Sequence, residues 1–274
     1  MSKYNISRRT AIITGAASGI GQAIAVSLAQ RGCNLILTDI NEGGLDETAT
    51  MCQSHEVKIQ CQHLDVSNTQ AIRDFAESIR ANKQPIDILV NNAGVALGGN
   101  FDHVSQDDFE WLLDINLHGV IRMTRAFMPI LEASDDACVV NLSSIFGIIA
   151  PPGQTAYSTA KFGVRGFSEA LRHELALSGS NVRVTQVHPG GIHTNIVKNA
   201  RIAEQAMVEI PDFEKEMKNF EKSLVMSPAQ AGEIIVRGIV NRKKRVLVGN
   251  DAHILSMIAR LLPINYMSVL RFFF

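Results

Sequence analysis

The chain has only four cysteines, Cys33, Cys52, Cys61 and Cys138, and none stands at the paired spacing of a zinc site or a disulfide framework. Cys61-Gln-His63 is a faint ligand pair with no second pair to complete it, so no metal is expected. Cysteines used in this way fit a reducing compartment, which makes a cytoplasmic location the expectation. A bias of charge is missing too. The 26 Lys and Arg against 27 Asp and Glu leave a net −1, no field for gathering nucleic acid or an anionic membrane. Behind Arg8-Arg9 there is no apolar run of the length an export signal needs. The most apolar stretch, Ile254 to Phe274, is broken by Arg260, Pro263, Asn265 and Arg271 and is too interrupted to span a bilayer. Internal repeats, low-complexity tracts and linkers are also absent. What remains is an ordinary globular composition, 46% hydrophobic and 19% charged, over 274 residues. That length suits one domain, 1–274, able to bury about three quarters of its unfolded surface.

What is present alternates. Short apolar runs near 10–14, 34–39, 57–62, 87–91, 137–143, 181–187 and 245–248 read as strands, and helices fill most of the gaps. Between the first strand and the first helix lies Thr14-Gly-Ala-Ala-Ser-Gly-Ile-Gly21. Glycines at 15, 19 and 21 let the backbone turn sharply, approach a pyrophosphate and pack the helix closely on the sheet. The helix N-terminus then faces the phosphates with free N–H groups, which makes Gly15, Ser18, Gly19, Ile20 and Gly21 candidate cofactor-binding residues. The pattern predicts an α/β fold: a Rossmann-type, doubly wound parallel sheet of about seven strands with helices on both faces.

A glycine string alone also suits an ordinary strand-to-helix turn, and Asp39 separates the two readings. It closes Asn34-Leu-Ile-Leu-Thr-Asp39, 24 positions after Gly15, where a carboxylate accepts hydrogen bonds from the adenosine ribose hydroxyls. It would repel a 2′-phosphate by ~1–4 kcal/mol at contact distance, depending on the local dielectric. No Arg or Lys inside the glycine turn or just after Asp39 offsets that. NAD, rather than NADP, is the expected cofactor. The plainer alternative is an aspartate that only starts a turn before Asn41-Glu-Gly-Gly44.

Tyr157 and Lys161 stand four residues apart, and Ser144 lies thirteen before the tyrosine. Moving a hydride between a carbinol carbon and nicotinamide requires a proton to leave or reach the oxygen, so a group of suitable pKa must touch that oxygen. Free tyrosine, at about 10, is a poor base near neutrality. Lys161, one helical turn on, is expected to favour the phenolate. Ser144 is placed to hydrogen-bond the substrate oxygen. Each has a plainer reading as well: an amphipathic contact for the Tyr-x-x-x-Lys pair, a strand end for Ser143-Ser144, a solvent-facing helix residue for Asn116.

With these residues in place the chain resembles the short-chain dehydrogenase/reductase family. The resemblance covers residues 10 to about 248. It rests on TGAASGIG at 14–21, Asp65-Val66, NNAG at 91–94, Asn116 in DINLHG, Ser144 in NLSS, the Tyr157/Lys161 pair and PGGIHT at 189–194. It implies a catalytic tetrad of Asn116, Ser144, Tyr157 and Lys161, with Asn116 supporting a water chain that relays the proton from Lys161 to solvent. It implies that Asp65 and Val66 hold the adenine, and that Asn91, Ala93 and Gly94 carry the fourth strand's backbone under the cofactor. Ile192 and Thr194 would contact the nicotinamide carboxamide and a nearby phosphate, and Tyr157 and Lys161 would also meet the cofactor. The implied activity is an NAD(P)-dependent oxidoreductase acting on a secondary alcohol or ketone. The alternatives are a 3-oxoacyl thioester reductase and a non-catalytic NAD-binding protein. Two further expectations follow from the resemblance. One is a homodimer or homotetramer through long helices near 106–133 and 155–178, with Phe167 and Leu171 turned to the symmetry mate. The other is a cover over the substrate at about 195–226, including Phe213 to Phe220.

The walls nearest the reactive oxygen are expected to be apolar, because Ile145-Phe-Gly-Ile-Ile-Ala-Pro-Pro152 follows Ser144 and Val95-Ala-Leu97 follows NNAG. A bulky lipophilic alcohol or ketone is therefore the expected small-molecule partner. The apolar stretch at about 251–274 is expected to cover the pocket, pack on a neighbouring subunit or rest on a membrane surface, in that order. Ser227-Pro228 reads as an N-cap followed by proline in the first helical turn. Asn241 to Arg245 reads as a solvated helix end. His188 and His193 read as packing or pocket-lining residues, and the lone Trp111 as a plain apolar one.

Overall fold

The computed structural model describes residues 3–209, 212, 215, 218, 221–222 and 224–270. Its strands are β1 (Thr10–Thr14), β2 (Asn34–Asp39), β3 (Ile59–His63), β4 (Ile88–Asn91), β5 (Leu97–Gly98), β6 (Ala137–Leu142), β7 (Val182–Pro189), β8 (Arg201–Ile202) and β9 (Arg245–Val248). Its helices, among the described residues, are α1 (Gly19–Ala29), α2 (Glu42–Cys52), α3 (Thr69–Ala81), α4 (Gln106–Leu113), α5 (Gly119–Glu132), α6 (Thr155–Leu177), α7 (Glu204–Glu209), α8 (Pro228–Val240), α9 (Asn250–Leu261) and α10 (Tyr266–Leu270). Seven strands form one all-parallel sheet in the order β3-β2-β1-β4-β6-β7-β9. The order reverses between β1 and β4, and the crevice that this leaves at the carboxyl ends of the strands is where α/β sheets bind ligands.

Burial on both faces explains why the central strands β1, β4 and β6 read as largely apolar runs, whereas the edge strand β3 is partly exposed and mostly polar. Alternate side chains divide between two cores. Ala11, Ile13, Leu35, Leu37, Ile88, Val90 and Val140 face α1 and α8, where they meet Ile24, Leu28, Ile235 and Ile239. Ile12, Ile36, Leu89, Val139 and Val184 face α3, α5 and α6, against Ile72, Phe75, Phe127 and Leu175. Ser227 caps α8 through the Gln230 N–H, with Pro228 at the first helical position, as the sequence predicts.

Three features depart from the sequence reading. The helix expected over 106–133 is two helices joined by a π-helical turn, Asp114–His118, in which Asn116 points inward. β5 and β8 form a separate two-stranded pair that ties the segment after NNAG to the start of the expected cover. Trp111 is more than a plain apolar residue: the Arg201 guanidinium lies 3.6 Å over its ring and donates to Asp108 at 2.7 Å, anchoring β8 on α4. Most of Phe213 to Phe220, and Arg271 to Phe274, lie outside the described residues.

The chain after β9 folds back. Leu255, Ile258, Tyr266, Met267 and Leu270 pack on Ile145, Phe146, Ile148 and Ile149, and the Tyr266 hydroxyl accepts the Ala150 N–H at 3.0 Å.

Candidate active site

The glycine turn leaves β1 with Gly15 at φ +66° and enters α1 with Gly19 at φ +58°, both in the left-handed region. A Cβ on Gly21 would stand 2.1 Å from the Gly15 carbonyl oxygen, and one on Gly15 would stand 2.8 Å from the Ala93 Cα. Backbone is packed against backbone here. Ser18 is the N-cap of α1 but makes no capping bond, and the first turn holds no acidic residue. An anionic diphosphate would supply the acceptor that the helix end lacks, so the turn fits a dinucleotide.

Around this turn the other candidate cofactor residues converge. The two Asp39 carboxylate oxygens accept the Ala17 N–H (3.1 Å) and the Asn41 N–H (3.0 Å), which holds the side chain at the rim of the turn. Asp65 follows β3 next to Asp39, its Oδ1 accepting the Ser67 N–H and hydroxyl, and Val66 packs against Gly119. Thr194 lies over Gly19, with its methyl 3.3 Å from where a Cβ would be, and buried Ile192 pairs with Met226. The Asn91 side chain turns the other way, into the helices, donating to Thr124 (2.9 Å) and Asn141 (2.8 Å). Any contact it makes with a cofactor is through its backbone.

Side chains within the quoted motifs, and one outside them, position this region. Asn92 donates to the carbonyls of Thr14 (2.9 Å) and Gly15 (3.0 Å), and the Thr14 hydroxyl accepts the N–H groups of Asn92 and Ala93. These bonds lock the end of β4 to the glycine turn. Asp251, in the first turn of α9, accepts the Gly191 N–H at 2.6 Å and so holds the 189–194 segment. The doubled amide of NNAG was the one signal available for Asn92; nothing local marks Asp251.

The four candidate catalytic residues come to one place from three elements. Asn116, fully buried, pairs with Val95 as a strand would: its Oδ1 accepts the Val95 N–H and its Nδ2 donates to the Val95 carbonyl, both at 2.8 Å. A Cβ on Gly94 would stand 3.2 Å from Asn116 Oδ1 and 3.7 Å from Lys161 Nζ, so the amide and the amine flank this glycine. Lys161 Nζ donates to the Leu142 carbonyl (3.1 Å) and lies 5.6 Å from the centre of the Tyr157 ring. Ser144 caps the short turn Ile145–Gly147, its hydroxyl oxygen accepting the Phe146 N–H at 3.1 Å. The hydroxyl proton remains free to be donated elsewhere. Phe146 meets Tyr157 edge to face at 6.2 Å, and Tyr157 packs on the cluster of Leu97, Leu112, Ala156 and Ala160.

One expectation about these groups is corrected. Lys161 does not pull Tyr157 down in the protein alone. Tyr157 keeps part of its surface open, yet it is enclosed enough that burial pushes its pKa up, against a smaller lowering by the Ser144 hydroxyl. Burial also brings Lys161 down to about 8. Desolvation opposes both charged forms. His188 is fully buried, its Nδ1 2.9 Å from the Ser144 carbonyl, and burial brings it down to about 4, so it is a neutral support behind Ser144. Among the described residues no group of three His, Cys, Asp or Glu is placed to hold a metal ion.

A family model described as short chain dehydrogenase matches residues 9–205. SadH of Mycobacterium tuberculosis, which bears an oxidoreductase name, is 39% identical over 259 residues, 94% of this chain and 92% of that protein. The 3-oxoacyl-[acyl-carrier-protein] reductase FabG of Thermotoga maritima is 34% identical over 205 residues, 74% of this chain and 82% of its own length. A solved short chain dehydrogenase/reductase from Burkholderia phymatum, in complex with NAD, has a TM-score of 0.84 at 25% identity, each chain covered to 95%.

Proposed function

The chain belongs to the short-chain dehydrogenase/reductase family of oxidoreductases, and from that premise we propose that it interconverts a lipophilic secondary alcohol and its ketone, using NAD. The observation that supports this reading best is the chain of contacts from Asn116 and Lys161, which flank Gly94, to the Tyr157 ring 5.6 Å from Lys161 Nζ and on to the Ser144 hydroxyl, with Phe146 and Leu97 as apolar walls. NAD, when bound, supplies the hydride acceptor for oxidation of the alcohol. Tyr157 takes the proton of the substrate hydroxyl. Ser144, its oxygen already engaged by Phe146, donates its own proton to the substrate oxygen and steadies it. Lys161 passes the proton on from Tyr157, and a lysine whose pKa is near 8 can carry it in either direction at working pH. Asn116, with both ends of its amide committed to Val95, acts by holding the π-helical turn in position.

The FabG relative favours a second reading, a 3-oxoacyl thioester reductase. Both readings are tested by following NADH absorbance with secondary alcohols, hydroxysteroids and 3-hydroxyacyl thioesters. Across a series of 2-alkanols, kcat/KM should rise several-fold per added carbon until the pocket is full, since each buried CH₂ contributes ~0.8 kcal/mol. A flat or falling series, with better activity on polyols, would rule out the lipophilic pocket.

Self-association through α5 and α6 is part of the proposal, with one change to the residues expected. Leu171 packs inward on the core of its own chain, whereas Phe162 is 38% exposed and Gly166 has open space above it. Light scattering at micromolar concentration should give a multiple of 29.9 kDa, and a monomer would contradict the interface.

A further inference from the structure

The net charge of −1 averages two unequal parts. Residues 241–274 hold six Lys and Arg and one acidic residue, Asp251; the preceding 240 hold 20 basic and 26 acidic residues. The one acidic side chain of the basic part is turned to the Gly191 N–H and so away from its neighbours' charge. On the same part, α9 has two apolar sides. Leu255, Ile258 and Ala259 pack on the wall behind Ser144, while Ile254, Met257 and Leu261 follow one another at helical spacing on another side, 53%, 58% and 72% exposed. The turn after α9 continues this stripe with Leu262 and with Ile264, 87% exposed. Leu247, His253, Ile254, Ser256, Met257 and Arg260 line a surface hollow of about 390 Å³. Arg245 reaches Ser256 at 3.4 Å, and Lys243, Lys244 and Arg260 are exposed.

We infer that this face, α9 and the turn that follows it, docks on an anionic lipid surface. An apolar stripe flanked by cations, with the nearby Glu169 already paired to Arg165 and Asp251 turned to the Gly191 N–H, suits the boundary between headgroups and acyl chains. No helix among the described residues is long and apolar enough to cross a membrane, so the contact lies along the surface. A second copy of the chain is the poorer occupant, because in a two-fold contact the patch meets itself and its excess of cations, Lys243, Lys244, Arg245 and Arg260, is doubled across the contact. The inference does not depend on the identity of the substrate.

Co-sedimentation of the whole chain with vesicles tests it. The protein should pellet with an equal mixture of phosphatidylcholine and phosphatidylserine, far less with phosphatidylcholine alone, and less as salt rises. Replacing Leu261→Ser and Ile264→Ser together, both well outside the core, should weaken binding at least ~tenfold. Arg260→Gln should weaken it ~fivefold. Circular dichroism and NADH binding are the controls for folding. Failure to pellet with the mixed vesicles, equal binding to both vesicle types, or binding unchanged by both variants would each overturn the inference. If the untouched protein ignores vesicles and Leu261→Ser with Ile264→Ser lowers its mass in light scattering, the occupant is a second copy and the inference fails.

Discussion

Tyr157→Phe should lower turnover ~10²-fold or more while NADH still binds. The substitution removes one oxygen and leaves the ring against Phe146, Leu97 and Ala160, so the fold has little reason to respond. The pH profile gives the same test a second readout. Burial raises Tyr157 and brings Lys161 to about 8, so the pair releases its proton above neutrality. Oxidation needs the base form. Its rate should therefore climb as pH rises through about 8 and reduction should slow, the apparent value belonging to the pair and not to either residue. The phenylalanine variant should lose that dependence along with the rate. Retention of most of the turnover on the best substrate would show that another group moves the proton.

Cofactor choice carries the second large effect. The Asp39 carboxylate is fixed by two backbone N–H donors at the rim of the glycine turn, so it has little freedom to swing away from a 2′-phosphate. At ~1–4 kcal/mol of repulsion, kcat/KM should favour NAD over NADP at least ~tenfold. Asp39→Ala should narrow the ratio, chiefly by improving NADP. Equal use of both cofactors by the unmodified protein would remove the basis of this prediction.

The central strands of the main sheet were legible in the sequence because a buried parallel strand is an apolar run, and such runs show without any knowledge of the partner strand; the edge strand β3, Ile59-Gln-Cys-Gln-His63, is half exposed and was legible only as one more step of the alternation. β5 and β8 were not. Each is two residues long and exists because the other lies alongside, about a hundred positions away in the chain. The π-helical turn at Asp114–His118 escaped for a like reason: its cause is the Val95 backbone, which no periodicity around Asn116 reveals. The candidate tetrad was legible as residue types at a spacing, and the structure adds that Asn116 and Lys161 flank Gly94 and that Lys161 lies 5.6 Å from the Tyr157 ring. Its electrostatics were not legible. The spacing of Tyr157 and Lys161 suggests two groups that attract, while the dominant influence on each is burial, a property of the surrounding fold. The net charge of −1 is a single sum, and its sign differs between residues 1–240 and 241–274.

The wall beside Tyr157 is held from behind by the helices that follow the last strand, through Leu255, Ile258, Leu270 and the Tyr266 hydroxyl. This sets an order of assembly during synthesis. Chains emerge N-terminus first, and contacts between segments distant in sequence close late. The glycine turn, Asp39 and the end of β4 are joined within the first 93 residues, long before residues 250–270 leave the ribosome. A growing chain thus has its glycine turn joined to the end of β4 well before the wall beside Tyr157 has any backing.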